Sequence, residues 1–89
     1  MVALSKLTVK VRNPDTVFFE GEPEAVSSAN EKGPFDILPM HENFISLIKD
    51  KIIIHISGKD QKELAVKTGV IRAKSNSIQI FYSLMEQDR

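Results

Sequence analysis

The stretch "KIIIHIS", Lys51 to Ser57, is β-branched at most positions. Side chains of that kind suit a pleated, buried surface. Alternation sets Ile54 and Ile56 on one face and His55 on the other. The segment reads as a core strand, and His55 as a partly exposed or hydrogen-bonded structural histidine.

The same period of two runs outward in both directions. In "KLTVKVR", Leu7, Val9 and Val11 point one way and Lys6, Thr8, Lys10 and Arg12 the other. "NPDT" (Asn13–Thr16) is a turn, with Pro14 presetting its dihedral and Asp15 able to bond nearby backbone. "VFFEGE" resumes extended structure, and Gly21 suggests a bulge or a close approach. "EAVSSAN" follows Pro23 as a strand, and "FDIL" (Phe35–Leu38) is a short one between Pro34 and Pro39. "HENFISLIK" suits either a helical turn or an extended run, and its β neighbours favour the latter. "GKDQK" is a hairpin loop. "ELAVKT" and "VIRAKS" flank Gly69, which marks a bulge or a bend between sheets. After the tight turn "KSNS", the segment "SIQIFY" places Ile78, Ile80 and Tyr82 on one face. Short strands punctuated by Gly, Pro, Asn and Asp mean an all-β sandwich or barrel.

Composition narrows the function. The chain has 89 residues, 42% hydrophobic and 27% charged, enough for one small core. Twelve basic and twelve acidic side chains balance, so a general electrostatic footprint for nucleic acid or anionic lipid is absent. The lack of cysteine excludes disulfides, thiolate catalysis and cysteine-bound zinc. No apolar run approaches the roughly 18 residues of a membrane span, and "MVALSKLTV" is not a signal peptide. A cytosolic protein is expected.

Catalytic signatures are equally sparse. Neither GxGxxG nor GxxxxGK[ST] occurs, and "SGKD" reads as a hairpin loop. His41 and His55 lack the spacing of metal ligands. "GPFDILPMH" (Gly33–His41) invites a triad of Asp36 and His41 with Ser27 or Ser28, but no G-x-S-x-G elbow accompanies it. The stretch reads as a shaped turn, with Phe35, Ile37 and Leu38 supplying core or sheet contacts. Glu20 and Glu22 share one solvated strand face. Lys6, Lys10 and Arg12 form a basic row without the interleaved aromatics that base stacking uses.

Three stretches in order, "KLTVKV", "VFFEGEPEAVSSANEKGPFDILPMHENFISLI" and "LAVKTGVIRAKSNSIQIF", resemble the N-terminal β-sandwich domain of F-type ATP synthase epsilon subunits. The homologous mitochondrial subunit is called delta. Phe19, Gly21, the Gly33 loop, "ILP" with His41 shortly after it, and Gly69 carry the likeness, which spans about Lys6 to Tyr82.

The resemblance implies a flattened β-sandwich of about ten short, mostly antiparallel strands over residues 1–83, with a polar tail at 84–89. It implies a non-catalytic central-stalk subunit of a proton- or sodium-driven synthase, turning with the gamma subunit and the c-ring. The c-ring contact falls on Glu31, Lys32, Gly33 and Pro34, and the gamma contact on Asn13, His41 and Ser46. No cofactor, metal, nucleic acid or small-molecule ligand is implied for this domain. The implied location is cytoplasmic, peripheral at the inner face of the cell membrane through the complex.

The sequence also departs from the family. Relatives usually have an acidic residue where Pro34 stands and glycines where Asp36 and Met40 stand. They continue into a helical hairpin that restrains ATP hydrolysis, whereas this sequence ends at Arg89, so that regulation is not assigned to these residues. The alternatives are a free-standing β interaction module, a small nucleic-acid-binding barrel using Lys10 and Arg12, and a small hydrolase using His41.

Overall fold

The computed structural model describes residues 6–40 and 43–83. Within them the chain forms seven strands and no helix. They are β1 (Thr8–Arg12), β2 (Val17–Gly21), β3 (Ala25–Asn30), β4 (Gly33–Ile37), β5 (Phe44–Ser57), β6 (Asp60–Lys74) and β7 (Ser77–Ser83). Hydrogen bonds link them in the order β2-β1-β7-β6-β5-β3-β4. Every pairing is antiparallel except β1 with β7, which is parallel.

One continuous sheet becomes two layers because β5 and β6 run for 14 and 15 residues and serve both. The first half of β5, Phe44 to Ile48, pairs with the second half of β6, Gly69 to Ala73. With β7, β1 and β2 these form the first layer. The second half of β5 pairs with Asp60–Val66 of β6 on one side and with β3 on the other. With β4 these form the second layer.

The crossing point is a bulge. Ile48 pairs with Gly69 and Asp50 with Val66, so β6 takes three steps where β5 takes two. An extra residue bends and twists a strand. It also reverses the side-chain parity of β6: Val66 faces the core before the bulge, and Ile71 and Ala73 after it. β5 keeps its parity, with Ile48, Ile52 and Ile54 all buried. Asp50 takes a positive φ of 74° at the same point. A Cβ on Gly69 would lie 2.7 Å from the Phe81 carbonyl oxygen and 3.2 Å from Ile48 Cγ1. The bend anticipated at Gly69 is there, and its cause is close backbone packing.

Alternation supplies the interior. Leu7, Val9, Val11, Ile71, Ile78 and Ile80 of the first layer share one cluster with Val26, Ile37, Ile52, Ile54 and Val66 of the second. Aromatic rings tie the open edges of the two layers together. Phe35 of β4 meets Phe44 of β5 edge-on, with centroids 6.0 Å apart and planes at 83°. At the opposite edge Lys62 Nζ stands 5.2 Å above the Phe18 ring.

The all-β sandwich agrees with the sequence reading, but it contains seven strands where about ten were expected. "FISLIK" and "KIIIHIS" are one strand, as are "ELAVKT" and "VIRAKS", because Asp50 and Gly69 bend strands and do not end them. Gly21 is not the bulge of β2. The register shifts at Phe18, which lets Phe18 and Phe19 both sit half-buried, and the Phe19 ring closes on Gly21. Leu38, expected to pack, follows the end of β4 and is 58% exposed. In the first turn Asn13, not Asp15, bonds the backbone: its Oδ1 accepts from Asp15 N at 2.8 Å and Thr16 N at 2.7 Å. The anticipated polar tail lies outside the described residues.

Candidate functional site

The catalytic possibility can be judged atom by atom. Hairpin pairing of β3 with β4 sets Ser27 opposite Asp36, and pairing of β3 with β5 brings His55 beside them. Ser27 Oγ donates to Asp36 Oδ1 at 2.5 Å and lies 2.8 Å from His55 Nε2. A hydroxyl has one proton. Here it is directed at the Asp36 carboxylate, and the histidine tautomer that completes the cluster is the one that donates from Nε2 to the serine. In a nucleophilic triad the histidine lies between serine and carboxylate and takes the serine's proton. This order is different, with the serine in the middle, and the cluster is a structural clasp across β4, β3 and β5. Ser28 points elsewhere and donates to the Lys51 carbonyl at 2.7 Å. His41 lies outside the described residues. Among the described residues no group of three or more His, Asp or Glu side chains could hold a metal.

The residues expected at a c-ring contact form one compact tip. Glu31 and Lys32 turn the chain between β3 and β4, and both are exposed. Asn30 Oδ1 accepts from Lys32 N at 2.8 Å, closing the turn. Gly33 follows at φ 120°, a conformation L side chains rarely adopt. Pro34 is exposed on β4, an edge strand, where proline is tolerated. Of the two positions where the resemblance leads to an expectation of glycine, Asp36 is ordinary strand. Met40 takes a φ of 71° with its N–H held by Asn76 Oδ1 at 2.7 Å.

Asn13 and Ser46, the two described residues of the three expected at a gamma contact, lie on either side of an unanticipated feature. Ser46 is half-buried and accepts from Asn30 Nδ2 at 3.2 Å, so its hydroxyl ties β5 to the hairpin. Its neighbours Ile45 and Leu47 point outward instead, each 70% exposed. In register with Leu47 stand Val70 and Phe81, also exposed. Asn13, Leu47, Val70 and Phe81 line a shallow groove of about 660 Å³ on the outer face of the first layer. Four large apolar side chains clustered on one outer surface are what a partner-binding patch looks like.

Sequence reading missed this patch. Its signal was present in "FISLI", apolar at outward as well as inward positions of a strand, the property that made the segment read ambiguously as helix or strand. A strand with one face on the core and one in water ordinarily alternates apolar with polar, and "FISLI" does not.

Comparison with known proteins gives this surface a context. The family described as "ATP synthase, Delta/Epsilon chain, beta-sandwich domain" matches residues 6–87. An ATP synthase epsilon chain of Leptospira interrogans (strain Fiocruz L1-130) is 30% identical over 79 residues, covering 89% of this chain and 62% of that one. Another, of Brevibacillus brevis, is 26% identical over 84 residues, covering 93% and 64%. This chain thus spans less than two thirds of the length of these relatives.

Two solved assemblies share the fold. A chain of the Euglena gracilis mitochondrial ATP synthase (OSCP/F1/c-ring) superposes with a TM-score of 0.80 at 10% identity, covering 92% of this chain and 53% of that one. A chain of the Tetrahymena thermophila mitochondrial ATP synthase central stalk and c-ring gives 0.75 at 12%, covering 88% and 63%.

Proposed function

Because this chain belongs to the ATP synthase delta/epsilon family, through its β-sandwich domain, we propose that it is a rotor subunit of the central stalk of a proton- or sodium-driven F-type synthase. It bridges the gamma subunit and the c-ring and turns with them, coupling ion translocation to ATP synthesis. The observation that carries this reading is the open apolar face of Ile45, Leu47, Val70 and Phe81 beside the β3–β4 tip. Gamma covers that face, with Asn13 at its rim. The ring meets Glu31, Lys32, Gly33 and Pro34. The hydrogen bond from Asn30 to Ser46 joins the two regions, so torque applied at one is resisted at the other.

The subunit is non-catalytic in this reading, which the serine-centred order of Ser27, Asp36 and His55 supports. It sits in the cytoplasm, peripheral at the inner face of the cell membrane through the complex. Among the described residues no helix is long and apolar enough to cross a membrane.

Co-expression with the cognate gamma subunit tests the proposal. The wild-type chain is expected to co-purify with gamma. Large apolar anchors at an interface cost about 2 kcal/mol or more each when lost. Leu47→Asp with Phe81→Asp should therefore abolish capture while the far-ultraviolet circular dichroism stays β-rich. Asp36→Asn on the opposite face should retain it. A wild-type chain that ignores gamma at micromolar concentrations would refute the stalk assignment.

A further inference from the structure

Register places the outward side chains of the first layer in rows. Leu47, Val70, Phe81 and Arg12 face each other in turn across β5, β6, β7 and β1. Ile45, Arg72, Gln79 and Lys10 form the next row, and Lys74, Ser77 and Thr8 the third. The face therefore has two zones, apolar over β5 and its neighbours and cationic around Gln79. Arg12 stands where they meet. Its guanidinium carbon lies 6.0 Å from the Phe81 ring centroid, and its Nε donates to the Asn13 carbonyl at 3.2 Å. Carboxylates are displaced to the margin, with Glu20 opposite Lys10 on edge strand β2 and Glu22 just beyond it. In a chain with twelve charges of each sign, four cations in the middle of one face are a segregated charge distribution.

We infer that the partner surface seated on this face is acidic, presenting Asp or Glu side chains beside an apolar strip. The inference rests on the gamma-docking reading and specifies its chemistry. A partner that covers Leu47, Val70 and Phe81 also desolvates Arg12, and with it Lys10 and Arg72 in the adjoining row. A cation removed from water without a counter-charge carries a large desolvation penalty, which would cancel much of the gain from the apolar strip. Carboxylates on the partner resolve this. A protein suits the face better than a nucleic acid, because Phe81 is its one exposed aromatic among the described residues and Arg12 lies over that ring.

The test is titration calorimetry of the chain with purified cognate gamma subunit at 50 and 300 mM NaCl. The expected Kd rises tenfold or more with salt. Arg72→Glu with Lys74→Glu is expected to raise Kd at least tenfold at 50 mM and to flatten the salt response. Reversal of an acidic residue on gamma should restore part of the affinity. Lys51→Glu with Lys59→Glu, the same charge change away from this face, should leave Kd unchanged. Circular dichroism confirms that each variant is folded. Tight binding indifferent to salt and to the Arg72 and Lys74 reversals would overturn the acidic partner while leaving the stalk assignment standing. So would reversal-sensitive binding to a single-stranded 30-mer or to phosphatidylglycerol vesicles alongside a reversal-insensitive gamma Kd. Absence of wild-type gamma binding at either salt would instead overturn the assignment on which the inference depends.

Discussion

The two outer faces of this sandwich are cut from the same two strands and have opposite characters. On the first layer, β5 and β6 turn Ile45, Leu47 and Val70 outward, with Phe81 beside them on β7. On the second layer the same strands turn Ile53, His55, Gln61 and Glu63 outward, paired across the ladder. There the neighbouring strands add Ser27 and Asp36, which bond each other, and Ser27 also bonds His55. The second face is polar, and at its centre Ser27 bonds both Asp36 and His55. The first leaves apolar area in water, a state that favours association. Identical strand geometry thus yields a finished surface and an unfinished one, and the difference lies wholly in the outward residues.

If the difference is confined to the outside, the interiors beneath the two faces should be equivalent. Ile71 lies under the apolar face and Ile54 under the polar one, and both are fully buried. Truncation of such residues costs the transfer energy plus a cavity, about 2–5 kcal/mol. Ile71→Ala and Ile54→Ala are expected to lose comparable stability in that range in urea denaturation. A small loss for one alone would mean that its layer does not share the common core, and the two faces would then differ in foundation.

The joint between the faces comes next in magnitude. In Gly69→Ala the new methyl meets backbone, the Phe81 carbonyl oxygen, and cannot be relieved by a rotamer change. Overpacking of this kind costs about 1–3 kcal/mol. For a domain of this size each kcal/mol lowers Tm by roughly 4–8 °C. A thermal melt unchanged by Gly69→Ala would show that the bulge relaxes freely and that the two faces are not rigidly related.

These features were unequally visible in the sequence. The core face was legible because period two needs no tertiary knowledge: Val9, Val11, Ile78 and Ile80 were assigned inward and are fully buried. Gly69 was legible because a glycine between two strand-like runs marks a bulge or bend. The continuity of β5 was not, since Asp50 reaches its positive φ without a glycine to announce it. The clasp was hidden for a different reason. Ser27 and His55 are 28 positions apart, and only the register that pairs Ala25 with His55 and Ser27 with Ile53 brings them together. A register shift of one residue would send either side chain to the other face. The docking face was hidden by its own composition: once Phe44 and Ile48 account for a core, Ile45 and Leu47 look redundant until their direction is known.

The finest distinction between the faces is between a surface residue that holds the fold and one that does not. Ser27→Ala removes a hydrogen bond to a carboxylate and one to an imidazole. Losses of that kind are worth about 1–2 kcal/mol. It should lower stability by that amount in urea denaturation and leave the Kd for gamma unchanged. Ile45→Thr keeps β-branching at a position that is 70% exposed, so its effect on stability should stay within about 0.5 kcal/mol. On the docking reading the same substitution removes an apolar contact and weakens gamma binding by about fivefold, near 1 kcal/mol. One variant moves only the melt and the other only the Kd. Were both to shift stability alike and neither to shift the Kd, the apolar face would be an ordinary part of the fold and its outward residues would have no partner to explain them.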